Sequence, residues 1–119
     1  MRRHDLLHIA VEPVEHARLI HAAGEIDMST VAQLRRELDA ARDQAAAALL
    51  DLRDVTFIDS SGLHLLEDAS RSSALTDWPF FIVRPSETVR RLIELTGTRD
   101  VLHLVEPATS LAGPAWASE

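Results

Sequence analysis

Apolar residues fall into two patterns along this chain: short continuous runs, and stripes at three- and four-residue spacing. Residues 6–11 (LLHIAV) predict a first strand, ended by Glu12-Pro13, and residues 17–23 (ARLIHAA) predict a second. About five residues between them suit a hairpin, so the pair is expected to be antiparallel. Gly24-Glu25-Ile26-Asp27 closes the second strand. Ser29 or Thr30 then caps a helix whose apolar face is Val31, Leu34, Leu38, Ala41 and Ala45. Arg35, Arg36, Glu37, Asp39, Arg42 and Asp43 populate its wet side. Residues 45–52 have the propensity to extend that helix; a break near Gln44 instead makes 48–52 a strand. Val55, Phe57 and Ile58 end a buried extended segment. A helix over about 61–73 follows, with Leu63, Leu66, Ala69 and Ala74 inward. Asp77-Trp78-Pro79 is a break. Residues 80–83 (FFIV) predict a strand buried on both faces. Ser86 caps a third helix, with Val89, Leu92, Ile93 and Thr96 inward, that stops at Gly97. Residues 101–105 (VLHLV) predict a last short strand. Beyond Glu106 the chain is rich in Ala, Pro, Ser and Gly and forms one weak helical turn or frays, as do residues 1–4.

The order is therefore ββαβαβαβ, which implies an α/β sheet with right-handed crossovers and helices on its faces. At 119 residues the chain makes one domain, with no internal repeat and no linker that splits it. Apolar residues at 46% and charged residues at 26% match a soluble globular protein. With no cysteine there is no disulfide framework and no thiolate metal site. The formal net charge of −7 disfavours a nucleic-acid or anionic-membrane partner. The N-terminal apolar run is too short for a secretory signal and is broken by His8, Glu12 and Pro13. No stretch approaches the roughly 20 apolar residues of a membrane span. These features predict a cytoplasmic protein.

The chemistry concentrates in residues 55–66, VTFIDSSGLHLL. Asp59-Ser60-Ser61-Gly62 must turn an extended segment into a helix. Ser60 is placed as the N-cap, its hydroxyl accepting from the N–H of Gly62 or Leu63. The same geometry permits a sharper role. A phosphate on Ser60 would add about −1.5 to −2 charges at the positive end of the helix dipole, where free N–H groups would support it. From chemistry alone, the capping role is the simpler reading.

The segment FIDSSGL, residues 57–63, resembles the signature of STAS domains, and in particular of bacterial anti-sigma factor antagonists. Three further blocks fall in the family's order: GEID at 24–27, LLDLRDVTFID at 49–59, and RPSETVRRLIELTGTRDVLHL at 84–104. The resemblance covers roughly residues 19–105. It implies a STAS fold: a mixed sheet of about five strands with helices packed on it. It also implies that Ser60, the first Ser after the Asp, is the phosphorylated residue and that Ser61 is the less favoured one. Asp59 lies beside Ser60, and Asp27 is expected close to the same turn. Asp27, Asp59, Ser60, Ser61, Gly62, Leu63 and His64 together form the implied partner-binding set. In the family, the unphosphorylated antagonist binds an anti-sigma factor serine kinase and frees a sigma factor. The kinase uses ATP to phosphorylate the Ser and release the antagonist, and a PPM-type phosphatase resets it. The resemblance thus implies a phosphoprotein and binding partner with no catalytic activity or cofactor of its own. An alternative keeps the fold without the switch: a fixed assembly module, bound to a transporter ATPase or in a stress-signalling scaffold.

Two departures stand out. His64 occupies a position where the family usually has a small residue, one turn after Ser60 on the same side of the helix; it shapes kinase docking, interacts with the phosphate, or faces solvent without consequence. LTDWP at 75–79 replaces the usual Gly-rich turn, and Trp78 there is expected to be a half-buried packing residue. Other chemistries fit poorly. The six histidines show no zincin spacing, and phosphate-loop and GxGxxG fingerprints are absent. IDSSG lacks the first glycine of a GxSxG elbow. A receiver domain with Asp51 as phosphoacceptor would need an acidic pair and a Lys, and the chain contains no lysine.

Overall fold

A computed structural model describes residues 6–102 and 104–105. In chain order it contains β1 (Leu7–Val14), β2 (Ala17–Ile26), α1 (Val31–Asp43), β3 (Ala47–Ile58), α2 (Ser60–Thr76), β4 (Phe80–Val83), α3 (Glu87–Thr96) and β5 (Leu104–Val105). The sheet order is β1-β2-β3-β4-β5. Its body is the four strands β1 to β4, and β5 adds a two-residue edge. The β1–β2 hairpin is antiparallel, and every later neighbour is parallel.

From β2 onward the strands step across the sheet in one direction. Crossovers of one hand then bring successive helices to the same face. The core shows this. Ile20, Leu50 and Ile82 lie in register across β2, β3 and β4, and one buried cluster joins them to Leu34 and Leu38 of α1, Leu63 and Leu66 of α2, and Val89 and Ile93 of α3. Phe81 and Val83, on the opposite face of β4, are half-buried. The expectation that FFIV is fully buried on both faces is corrected accordingly.

Several boundaries differ from the sequence pattern, each for a physical reason. β1 runs through Glu12-Pro13 to Val14, because an edge strand tolerates a residue without an N–H. The hairpin turn is therefore the two residues Glu15-His16, with Glu15 at φ 54°. β3 is one continuous strand from 47 to 58, with two register shifts against β2. The second shift falls at Gly24, where φ is +112° and a Cβ would stand 2.1 Å from the Leu6 carbonyl oxygen. Only glycine fits there. α1 stops at Asp43, and Ala45 is exposed with φ 55°, outside the apolar face. α2 runs on to Thr76, with Ala74 exposed. Thr96 is also exposed, its hydroxyl donating to the Leu92 carbonyl. Of the predicted last strand, Val101 lies in a turn and Leu104–Val105 pair with β4. Trp78 is fully packed: it stacks on Phe80 with ring centroids 5.5 Å apart, and its Nε1–H donates to the Ala46 carbonyl at 2.8 Å. The expected tail beyond Glu106 and the N-terminal residues 1–4 lie outside the described residues.

Candidate functional site

The ends of β2 and β3 are paired in parallel, Ile26 opposite Ile58, and the Asp59 N–H donates to the Ile26 carbonyl at 3.2 Å. β3 reaches α2 through Asp59 alone, and β2 reaches α1 through the four residues 27–30. The two strand-to-helix turns, Asp27-Met28-Ser29-Thr30 and Asp59-Ser60-Ser61-Gly62, therefore stand next to each other at one end of the sheet.

The second turn is capped differently from the sequence expectation. Asp59, not Ser60, is the N-cap of α2, with extended φ −110° and ψ −170°. Its Oδ1 accepts from the Ser61 N–H at 2.9 Å, the Gly62 N–H at 3.2 Å and the Ser61 hydroxyl at 2.5 Å. A carboxylate is the stronger acceptor for the positive end of a helix, and it sits one residue earlier in the chain. Ser60 thereby becomes the first residue of the helix. It is exposed, and its hydroxyl makes no hydrogen bond among the described residues. A second correction follows. The Ser61 and Gly62 N–H groups are already spent on Asp59, so they are not free to hold a phosphate on Ser60.

Gly62 and Leu63 face inward. A Cβ on Gly62 would stand 2.7 Å from Ile58 Cγ1 and 2.8 Å from Ile26 Cγ2, so its absence lets the first turn of α2 settle onto the two strand ends. Leu63 joins the core. These two residues of the implied binding set position the site from below rather than line its surface. His64 is exposed on α2, one turn after Ser60.

The first turn repeats the frame. Asp27 Oδ1 accepts from the Ser29 N–H at 2.9 Å, the Ser29 hydroxyl at 2.7 Å and the Thr30 N–H at 3.2 Å. Neither candidate cap of α1 acts through its hydroxyl: the Val31 N–H donates to the Asp27 carbonyl at 2.8 Å and the Gln33 N–H to the Thr30 carbonyl at 3.0 Å, while the Asp27 carboxylate closes the turn that precedes the helix. Thr30 holds the N-cap position without a side-chain cap bond. Its buried hydroxyl instead accepts from the Asp27 N–H at 2.9 Å and donates to the Glu25 carbonyl at 2.8 Å. The Ser29 hydroxyl, opposed in part by desolvation and aided by the Ser29 and Thr30 N–H groups, holds the Asp27 carboxyl below its usual value. The turn presents Met28, 83% exposed, at the position where its neighbour presents Ser60. Reading the sequence did not single out Met28. The shared Asp-x-Ser spacing of 27–29 and 59–61 is the signal that would have found it.

Asp51 is a different case. It is 3% exposed, and its carboxylate takes the Arg53 N–H at 3.0 Å and lies 3.5 Å from Arg53 Nε and 3.7 Å from Arg84 Nη1. A carboxylate so enclosed is a structural anchor and a poor phosphoacceptor.

The family model described as STAS domain matches residues 8–111. An anti-sigma-B factor antagonist of Staphylococcus aureus is 30% identical over 88 residues, which is 73% of this chain and 82% of that one. The crystal structure of an anti-sigma factor antagonist from Mycobacterium paratuberculosis superposes with a TM-score of 0.76 at 29% identity, covering 87% of each chain. The fold is also shared with the Bacillus cell fate determinant SpoIIAA in its phosphorylated form, with a TM-score of 0.66 at 21% identity, over 88% of this chain and 97% of that one. With the mixed sheet, the order of its elements and these matches together, the chain belongs to the STAS domain family.

Proposed function

We propose that this protein is an anti-sigma factor antagonist that binds an anti-sigma factor serine kinase when unphosphorylated, frees a sigma factor, and is switched off by phosphorylation at Ser60. The observation that carries this reading is the contrast between two adjacent serines. The Ser61 hydroxyl is tied to Asp59 at 2.5 Å, while the Ser60 hydroxyl is exposed and unengaged among the described residues. A kinase that reaches this turn finds one hydroxyl ready for transfer, and adding a group there breaks no bond of the fold. The names of the relatives support the same reading.

The charge balance supplies the off state. A phosphate on Ser60 brings about −1.5 to −2 charges. Asp59 precedes it in the chain, Asp27 lies in the neighbouring turn, and the chain as a whole carries −7. A partner surface fitted to the unphosphorylated turn must then desolvate or repel a dianion. Switching from about 99% to 1% bound takes on the order of 5.5 kcal/mol of differential affinity. One phosphate in a closed interface is of the size to supply much of it. The protein is then a kinase substrate and binding partner, acting in the cytoplasm without a cofactor, and a PPM-type phosphatase restores the free hydroxyl. Asp27, Asp59, Ser61 and the exposed His64 surround the acceptor and complete the contact face.

The test incubates the protein with ATP and each serine kinase of a panel of anti-sigma factors from the same organism. Intact mass and peptide mapping follow, with Ser60→Ala as control. One phosphate on Ser60, with dissolution of the complex, is the expected result. Tight binding without phosphate transfer would replace this reading with a fixed assembly module.

A further inference from the structure

The chain holds no cysteine and two methionines, Met1 and Met28, so Met28 carries its one internal sulfur. That sulfur is in the turn beside the phosphoacceptor. Met28 and Ser60 take the same place in two matching Asp-x-Ser turns, on strands paired at Ile26 and Ile58. The strand ends that lead into the two turns are thus one strand spacing apart, ~5 Å. At 83%, Met28 is also the most exposed large apolar side chain among the described residues. Among the described residues the turn is held by Asp27, Ser29 and Thr30, without the Met28 side chain. An enzyme that brings a nucleotide's terminal phosphate to the Ser60 hydroxyl covers a footprint much wider than one strand spacing, ~5 Å, which is wide enough to take in the neighbouring turn.

We infer that Met28 is an apolar anchor for the kinase that acts on Ser60, and that its oxidation to the sulfoxide by a hydroperoxide weakens that docking. The inference rests on the Ser60 reading and adds a redox control to the same face. In the oxidation, the thioether sulfur attacks the terminal peroxide oxygen and the O–O bond breaks. An S–O bond forms, and water or an alcohol leaves with the proton. Sulfur loses two electrons and the peroxide gains them. The product is polar and chiral where the native side chain was apolar and flexible, and sulfoxide reductases reverse it. Full exposure makes the sulfur accessible, and its idle place in the fold lets the change occur without unfolding.

The experiment treats the full chain with hydrogen peroxide and confirms one added oxygen on Met28 by peptide mapping. Affinity for the kinase that phosphorylates Ser60 in the panel is measured before and after. The expected loss is about 10- to 100-fold on oxidation, the effect of removing one well-buried apolar side chain from an interface. Met28→Gln, which imitates the polarity of the sulfoxide, reproduces the loss with an unchanged melting temperature. Met28→Leu has the same affinity before and after peroxide, whatever its starting value, which assigns the effect to position 28 rather than to Met1. Unchanged affinity of the oxidised wild type overturns the inference while leaving the Ser60 reading intact. If no kinase of the panel binds or phosphorylates even the untreated protein, the Ser60 reading has failed and the inference falls with it.

Discussion

The turn after β2, Asp27-Met28-Ser29-Thr30, and the turn after β3, Asp59-Ser60-Ser61-Gly62, share one frame. In each, one Asp oxygen gathers the hydroxyl and N–H of the residue two places on and the N–H of the residue three places on. They differ at two positions. The fourth residue is Thr30 in one turn, buried and bonded to the strand before it, and Gly62 in the other, absent of side chain so that α2 can seat on Ile26 and Ile58. The second residue is Met28 in one and Ser60 in the other, both exposed. The frame is a folding device, used twice. What each turn displays is independent of how it is built, and that independence is what a modification switch needs.

Substitutions separate the two layers. The largest expected effect is at the seat of α2. Gly62→Val places new carbons where a Cβ already falls 2.7 Å from Ile58 Cγ1, and is expected to cost about 3 kcal/mol by overpacking, read by denaturant unfolding. Thr30→Val tests the counterpart position. It strips a buried hydroxyl from the Asp27 N–H and the Glu25 carbonyl, for an expected loss of about 1–3 kcal/mol. If Gly62→Val leaves stability unchanged, α2 is not seated as described.

The shared frame comes next. Asp59→Ala removes the carboxylate that caps α2, and Asp27→Ala removes the one that closes the turn before α1; each is expected to cost about 1–2 kcal/mol. Near-equal losses support one frame used twice; a loss confined to one turn breaks the comparison. Acid adds a finer probe. Asp27 is held below its usual 3.8, so its contribution to stability is complete above that value and is lost as pH falls through the lower, folded-state value. A carboxyl NMR titration should place the Asp27 midpoint below 3.8, and Asp27→Asn should flatten that part of the acid dependence. The smallest expected effect on stability belongs to the display position: Ser60→Ala stays within about 0.5 kcal/mol of the parent, whereas Ser61→Ala loses about 1 kcal/mol with its bond to Asp59.

Much of this fold could be read from local pattern. Apart from Leu6, the runs at 6–11, 17–23, 48–52 and 80–83 lie within strands, and the stripes led by Leu34, Leu63 and Val89 mark the buried faces of the three helices. What escaped the pattern depends on tertiary position. Pro13 remains in a strand because β1 is the sheet edge, a fact of strand order that residues 6–14 do not contain. The strand expected at 48–52 and the extended segment that ends at Ile58 are one strand, carried past Arg53-Asp54 by a bulge against β2. Ala45 ends α1 with a positive φ and no glycine to announce it. At the site, the residue types of the 59–62 turn were legible, and the approach of Asp27 to it was implied by the family resemblance. The division of labour was not. Asp59 and Ser60 are both good caps, and only the extended conformation of Asp59 decides that the carboxylate caps and the serine is left free.

The most direct test of the central claim compares the protein singly phosphorylated on Ser60 with the unmodified protein, in kinase affinity, melting temperature and backbone amide spectrum. A fall in affinity of at least ~100-fold is expected on phosphorylation, with an unchanged fold and shifted amide signals confined to the two neighbouring turns. Undiminished binding by the phosphorylated protein, or loss of its fold, would contradict it.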